Sequence, residues 1–403
     1  MFFSSRLLRA FVALAIIGSL YLADAARRAY PEPARAHSNT QIQAKDSTKS
    51  LGEAALTSGH WERAAQGHIP MPPGVPAAHA SALAALPSAH SSALLAFWFA
   101  GDRESAPNVQ IAMSALDRAT GIWSPARMVV DRWEVAQQLG FGIRRLGNPV
   151  AWVDGQGQVH LFVVATGLGG WAAGRVLHLQ QIAPTPQVPW AWKATAVLPL
   201  SWLWNTSYLV RTAPLPLSDG GIVLPAYFEL ARKYPVALRL DAQGVLLGMA
   251  PISARGQMLQ PALLALGERD WLAFMRDGGP EGRLRAARSA DGGTHWTDIG
   301  DLPLDNPNAS VATLTAGDQH LLVYNPQPIG RHRLRMTSSA DGSLWSTVLD
   351  LENGPPGHEY SYPAMAMADG QLWVSYTDQR QSIAWQRFTW VGDSPTAPGK
   401  GSP

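Results

Sequence analysis

The chain has no cysteine among its 403 residues, so neither a disulfide framework nor a thiolate metal site is available to it. Charge is also scarce: Asp, Glu, Lys and Arg make up 15% of the residues, the net charge is +2, and the basic residues are scattered. A nucleic-acid binder needs a basic stripe to neutralise successive phosphates, so nucleic acid is excluded as a partner. The histidines show no ligand spacing, which leaves no metal site and no cofactor to expect. From Ala77 onward no segment carries a sustained apolar stripe of helical period, which disfavours α/β architectures.

Long apolar runs are few as well. The N-terminal one, Ala10 to Leu22, follows Arg6 and Arg9 and precedes Ala23-Asp24-Ala25, a small-x-small cleavage pattern. It falls short of the roughly 20 residues that span a bilayer. Residues 1–25 therefore read as an export signal or an uncleaved anchor, which places the protein outside the cytoplasm of a bacterium, periplasmic or attached to a membrane through this segment. Residues 26–76, rich in Ala, Pro, Ser, Gln and His, read as a poorly ordered linker; 77–391 as one folded domain; and 392–403 as a disordered tail.

Within 77–391 the strand signals come in pairs. Six apolar, β-rich runs begin at Leu94, Val159, Gly221, Asp270, His320 and Gln371, each followed by a partner run across a turn. Their spacings, 65, 62, 49, 50 and 51 residues, match the size of a four-stranded blade. A Ser-x-Asp-x-Gly-x-x-Trp turn, Ser289 to Trp296, is echoed in a form one residue shorter from Ser339 to Trp345. In such a turn the aspartate accepts backbone N–H groups, glycine supplies positive φ, and the tryptophan packs back beneath. The fold class expected is all-β, a six-bladed β-propeller. Among the 16 tryptophans, Trp123, Trp296 and Trp345 are expected to plug blade turns, whereas Trp171, Trp190, Trp192, Trp202 and Trp204 are open to either packing or sugar stacking. Asp154-Gly155-Gln156-Gly157 reads as a hairpin turn.

The paired turns resemble the Asp-box of sialidases (neuraminidases), and from about Ala77 to Phe388 the chain is similar to the exported, sialidase-like BNR-repeat branch of that superfamily. The resemblance implies an exo-glycosidase that grips a sugar carboxylate with three arginines and attacks with a tyrosine paired to a glutamate, an aspartate serving as acid/base. Gln260-Pro261-Ala262 followed by Arg276 is similar to the segment bearing that glutamate and the second arginine, with Gln260 in the glutamate's place. Arg331 stands like the third arginine, with Arg333 and Arg335 open to the same place, and Glu359-Tyr360-Ser361-Tyr362 like the stretch with the nucleophile, Tyr360 being the better match. In a regular strand residues i and i+2 share a face, so Tyr362 is open to the same role. Arg103 is expected to face the substrate, Asn108 falls where the aspartate should stand, and His79 falls where the first arginine should.

The resemblance thus implies an acidic glycan as partner, with Tyr360, Tyr362, Glu359 and His79 as catalytic candidates. Arg103, Arg276, Arg331, Gln260, Asn108 and Tyr227 are the substrate-binding ones. Asp102, Glu104 and Glu229 are the carboxylates open to proton transfer. Hydrolysis leads. A uronate lyase working by β-elimination on the same propeller, or a glycan-binding module without turnover, are the alternatives.

Overall fold

The computed structural model describes residues 11–22, 59–182, 190–300 and 302–392. Residues 1–10 and 23–25 of the expected signal, 26–58 of the expected linker and the tail from 393 lie outside the described residues. A helix, α1, covers 11–22 with its apolar side chains exposed, and among the described residues no helix is long and apolar enough to cross a membrane.

Six antiparallel sheets follow. Blade 6 borrows its outermost strand from the start of the domain, so β1 (Gly59–His68) is introduced first. Blade 1 comprises β2 (Ala77–Ala85), β3 (Ser92–Gly101), β4 (Gln110–Asp117) and β5 (Arg127–Val130); blade 2 comprises β6 (Arg145–Val153), β7 (Val159–Thr166), β8 (Gly174–Ile182) and β9 (Ala191–Val197). Blade 3 splits its inner strand into β10 (Tyr208–Val210) and β11 (Leu215–Pro216), followed by β12 (Ile222–Phe228), β13 (Tyr234–Leu240) and β14 (Leu246–Pro251). Blade 4 is β15 (Met258–Ala265), β16 (Trp271–Asp277), β17 (Arg285–Ser289) and β18 (Thr297–Asp298); blade 5 is β19 (Ala312–Ala316), β20 (Gln319–Tyr324), β21 (Arg333–Ser339) and β22 (Ser346–Asn353). Blade 6 is β23 (Tyr360–Ala368), β24 (Gln371–Asp378) and β25 (Ser382–Gly392), completed by β1.

Inner strands contact their neighbours around the axis, and β23 returns to β2, so the ring closes. The paired runs read from the sequence are the second and third strands of each blade. The domain begins earlier than expected: β1, assigned to the linker, pairs with β25 from Gly59↔Gly392 to His68↔Ala384 and ties the two ends of the ring together. An eight-residue helix, α2 (Arg132–Leu139), links blades 1 and 2, capped by Asp131, whose carboxylate accepts from Trp133 N and Glu134 N.

The inner strands carry little of the β-branched signal because they converge. At the axis they present Ala82, Ala151, Ala213, Ala262, Ala312 and Ala364, one small side chain from each blade, around a narrow channel. Four of them also share a break. The ladder slips between His79 and Ala82, Gly147 and Val150, Leu259 and Ala262, and Ser361 and Ala364. At each slip one residue turns left-handed: Ala80 (φ 58°), Asn148 (44°), Gln260 (47°) and Tyr362 (54°). In three cases proline follows, which has no N–H to give the ladder, so a bulge forms there.

Both Asp-box turns are built as read. Asp291 accepts from Thr294 N at 3.1 Å and His295 N at 2.9 Å, Gly292 and Gly293 have φ of 74° and 82°, and Trp296 Nε1 donates to Gly293 O. The shorter copy makes the same turn, Asp341 accepting from Ser343 N at 2.8 Å and Leu344 N at 3.1 Å while Trp345 packs edge-on against Phe274. Asp154 organises a hairpin, accepting from Gln156 N and Gln158 N. Trp123 is buried against Trp373, and Trp192 against Phe97. Trp202 and Trp204 remain exposed.

Candidate active site at the propeller mouth

The left-handed breaks aim side chains at the axis, and the cluster they build centres on Tyr362. Its hydroxyl accepts from Arg276 Nη1 at 3.0 Å and lies 3.5 Å from Gln260 Nε2. The same Arg276 nitrogen donates to Gln260 Oε1 at 3.0 Å, and Gln260 Nε2 lies 3.4 Å from the hydroxyl of Tyr227. Arg276 ends β16 in blade 4, Gln260 sits at the break of β15, and Tyr227 belongs to blade 3. Three blades therefore meet at one phenol.

A second tier of cations surrounds it. Asn308 ties Arg276 to Arg331: its side-chain oxygen accepts from Arg276 Nε and its backbone oxygen from Arg331 Nη2. Glu359 then ties Arg331 to Arg380, accepting from Arg331 Nη1 at 2.9 Å, Arg380 Nε at 2.7 Å and Ser361 Oγ at 2.7 Å. Arg380 also donates to Glu104 of blade 1. Arg211, buried in blade 3, closes the floor: it donates to the carbonyls of Ser81 at 3.2 Å, Tyr362 at 2.6 Å and Pro363 at 3.2 Å, with its guanidinium 5.0 Å from the Tyr362 ring.

The electrostatics follow from this arrangement. Burial alone would raise the Tyr362 pKa, but the charges of Arg276 and Arg331 outweigh it, and the phenol sits below its ordinary value. Tyr227 is pushed up by burial and by its neighbour Tyr362, which the hydrogen bond from Gln260 and the charge of Arg276 do not offset. Burial would also raise Glu359, yet hydrogen bonds from Arg380 and Ser361 and the charge of Arg331 bring it down to about 2, so it is ionised and cannot serve as an acid at neutral pH. Arg211 falls to about 10 through burial.

The sequence-derived candidates divide accordingly. Tyr362, Arg276, Gln260, Tyr227, Arg331 and Glu359 are brought together. Tyr360 is not: its ring packs near Tyr376 and Gly354, away from the cluster, because the left-handed turn at Tyr362 breaks the i, i+2 alternation on which a shared face depends. His79 lies between Phe99 and Tyr362, 2% exposed with neither ring nitrogen hydrogen-bonded. Burial and the nearby arginines keep it neutral, so it is a packing residue beneath the tyrosine rather than a proton carrier open to substrate. Asn108 is exposed and accepts from Asp102 N at 3.3 Å, closing a turn. Arg103 sits on the outer rim of blade 1, exposed, and Glu229 is paired with Lys233 at 3.1 Å. Arg211, Arg380 and Asn308 were not picked out. All three act across blades, which no local pattern reveals.

A closed ring of six antiparallel blades, two of them carrying Asp-box turns, with arginines around an axial tyrosine defines the sialidase-like propeller class. The profile described as a BNR repeat-like domain matches residues 92–374, and the chain belongs to that family. Among curated proteins no sequence matches. Similar solved structures include the Hadza microbial sialidase Hz136 (TM-score 0.61, 16% identity, covering 77% of this chain and 65% of that one). They also include a Dyadobacter fermentans DSM 18053 protein whose own function is unknown (TM-score 0.64, 13% identity, 82% and 99%). A third is the Trypanosoma rangeli sialidase in complex with the inhibitor DANA (TM-score 0.62, 12% identity, 81% and 59%). At these identities the likeness is one of fold, and the chain spans about 59 to 65% of the length of the sialidases it matches.

Proposed function

We propose that the protein takes a carboxylate-bearing sugar from the end of a glycan at this mouth and hydrolyses its glycosidic bond through Tyr362. One observation carries the reading: the Tyr362 hydroxyl lies 3.0 Å from Arg276, and the phenol is held below its ordinary pKa by Arg276 and Arg331. The exposed edges of Arg276 and Arg331 receive the sugar carboxylate in charge-assisted hydrogen bonds. Tyr362 gives up its proton to water under the charges of Arg276 and Arg331, and the phenolate oxygen bonds to the anomeric carbon as the bond to the leaving oxygen breaks; that oxygen takes a proton from Asp102, a rim carboxylic acid without an ion pair among the described residues. Water then adds its hydroxyl to the anomeric carbon and returns its proton to Asp102, which frees the sugar and the Tyr362 phenolate. The same proposal keeps the protein outside the cytoplasm, supported by the basic residues before the apolar 10–22 run and the small-x-small pattern after it.

A phenol poised this way is also a base, so β-elimination from a uronate is the second reading. Purified protein is incubated with an aryl sialoside and with uronate polysaccharides, alongside Tyr362→Phe and Tyr360→Phe. Release of free acidic sugar, lost in Tyr362→Phe and kept in Tyr360→Phe, is expected. An unsaturated uronate as the product would assign elimination instead, and no binding or turnover of any acidic glycan would overturn the proposal.

A further inference from the structure

Arg380 has donor capacity left over. Nε and Nη2 donate to Glu359 at 2.7 and 3.2 Å and Nη1 donates to Glu104, while the side chain stays 43% exposed. A guanidinium carries five N–H donors, so about two are uncommitted. They border a cavity of about 480 Å³ at the seam of blades 1 and 6, within the size range of small-molecule sites. Asp102, Arg103, Glu104, Ser105 and Gln381 line it with Arg380, whereas neither Tyr362 nor Arg276 does.

The two loops that form this cavity are held in unusual backbone. Gln379 and Arg380 take φ of 51° and 57° in succession, in the tight turn where Gln381 N donates to Asp378 O at 3.0 Å, and Ser105 on the facing loop has φ 64°. Paired left-handed positions in a hairpin turn favour Asn and Gly, so two long polar side chains there are carried against the local preference. The strained turn puts Arg380 across the seam: its backbone oxygen accepts from Ala78 N of blade 1 at 3.0 Å, and its guanidinium reaches Glu104. Arg103, on the same rim, has no ion pair among the described residues. Over the mouth and the seam together four guanidiniums, on Arg103, Arg276, Arg331 and Arg380, face three carboxylates, on Asp102, Glu104 and Glu359, leaving an excess of positive charge.

We propose that this seam cavity is a second acidic-sugar subsite adjoining the Tyr362 mouth, in which Arg380 and Arg103 receive the carboxylate of the neighbouring sugar while Ser105 and Gln381 meet its hydroxyls. The glycan taken is then one with acidic sugars in succession. The inference rests on the reading of the mouth as an acidic-sugar site.

Calorimetric titration separates the two. The probes are sialic acid, its disialyl disaccharide, galacturonate and digalacturonate, each against the wild-type protein and Arg103→Ala. Wild type is expected to bind at least one diacid about tenfold more tightly than its monosaccharide, as a second charge-assisted fork implies, with a steeper loss in salt. In Arg103→Ala, an exposed position whose loss leaves the fold intact, that preference shrinks while the monosaccharide still binds. Equal binding of mono- and diacid by wild type, or an undiminished preference in Arg103→Ala, overturns the subsite. Failure of wild type to bind any of the four overturns the mouth reading itself.

Discussion

Gln260 Nε2 stands 3.5 Å from the hydroxyl of Tyr362, and Arg276 Nη1 lies 3.0 Å from both the phenol and Gln260 Oε1. An amide there orients the tyrosine but cannot take its proton, so ionisation of the phenol depends on the two arginines. Gln260→Glu would set a carboxylate within reach of the phenolic proton and beside a cation that stabilises it. The expected result is a rise in acidic-glycoside hydrolysis by roughly 10²-fold, the usual contribution of a positioned base. An unchanged rate on the substrate that wild type turns over would show that proton removal from Tyr362 does not limit the reaction.

The blade count was readable because each second and third strand is apolar and turn-bounded, as in Leu94 to Ala100 and Val109 to Leu116. The inner strands were not: axial crowding selects Ala82, Ala151 and Ala262, and Pro149, Pro261 and Pro363 look like strand breakers until the bulge is seen. Site residues followed the same line. Arg276 and Gln260 were found through the family resemblance, whose matching segment lies inside one blade. Choosing between Tyr360 and Tyr362 required a backbone angle, φ 54° at Tyr362, that no alternation rule supplies. Arg211 and Arg380 act on other blades, and only ring closure brings their partners near. Asn308 stands outside every motif read from the sequence, yet it couples two arginines.

Arg211 belongs to the fold more than to the chemistry. It joins the carbonyls of Ser81, Tyr362 and Pro363, so its loss leaves buried acceptors of blades 1 and 6 without donors. Arg211→Met is expected to lower stability by about 2–5 kcal/mol, read as a shifted denaturant midpoint with little change in slope. Because the carbonyl of Tyr362 is one of those acceptors, acidic-sugar affinity falls as well. A variant as stable as wild type would mean that the guanidinium is not what holds the three strands at the axis.

Acid should loosen the ring in two windows. His178 is buried, stacks on Phe162, and its Nε2 lies 2.9 Å from His160 Nδ1; burial first and then the charge of His160 take its pKa down to about 4, and burial lowers His160 too. The unfolded chain protonates these rings near pH 6.5, before the folded chain does. Stability from His178 is therefore complete above about pH 6.5, declines as pH falls from there to about 4 by on the order of 3 kcal/mol, and levels off below. Glu359, held at about 2, works lower: its contribution is present above the ordinary glutamate value near 4.3 and is lost as pH drops toward 2. His178 packs against Gly244 in the β13–β14 turn, where an added Cβ would meet the imidazole at 2.4 Å, so the ring sits at the contact between blades 2 and 3. Denaturant unfolding measured at intervals between pH 8 and 3 is expected to show the upper decline in wild type. In His178→Gln the slope between about pH 6.5 and 4 should fall by up to about 1.4 kcal/mol per pH unit, the weight of one proton. An unaltered slope in that variant would remove His178 as the source of the upper window.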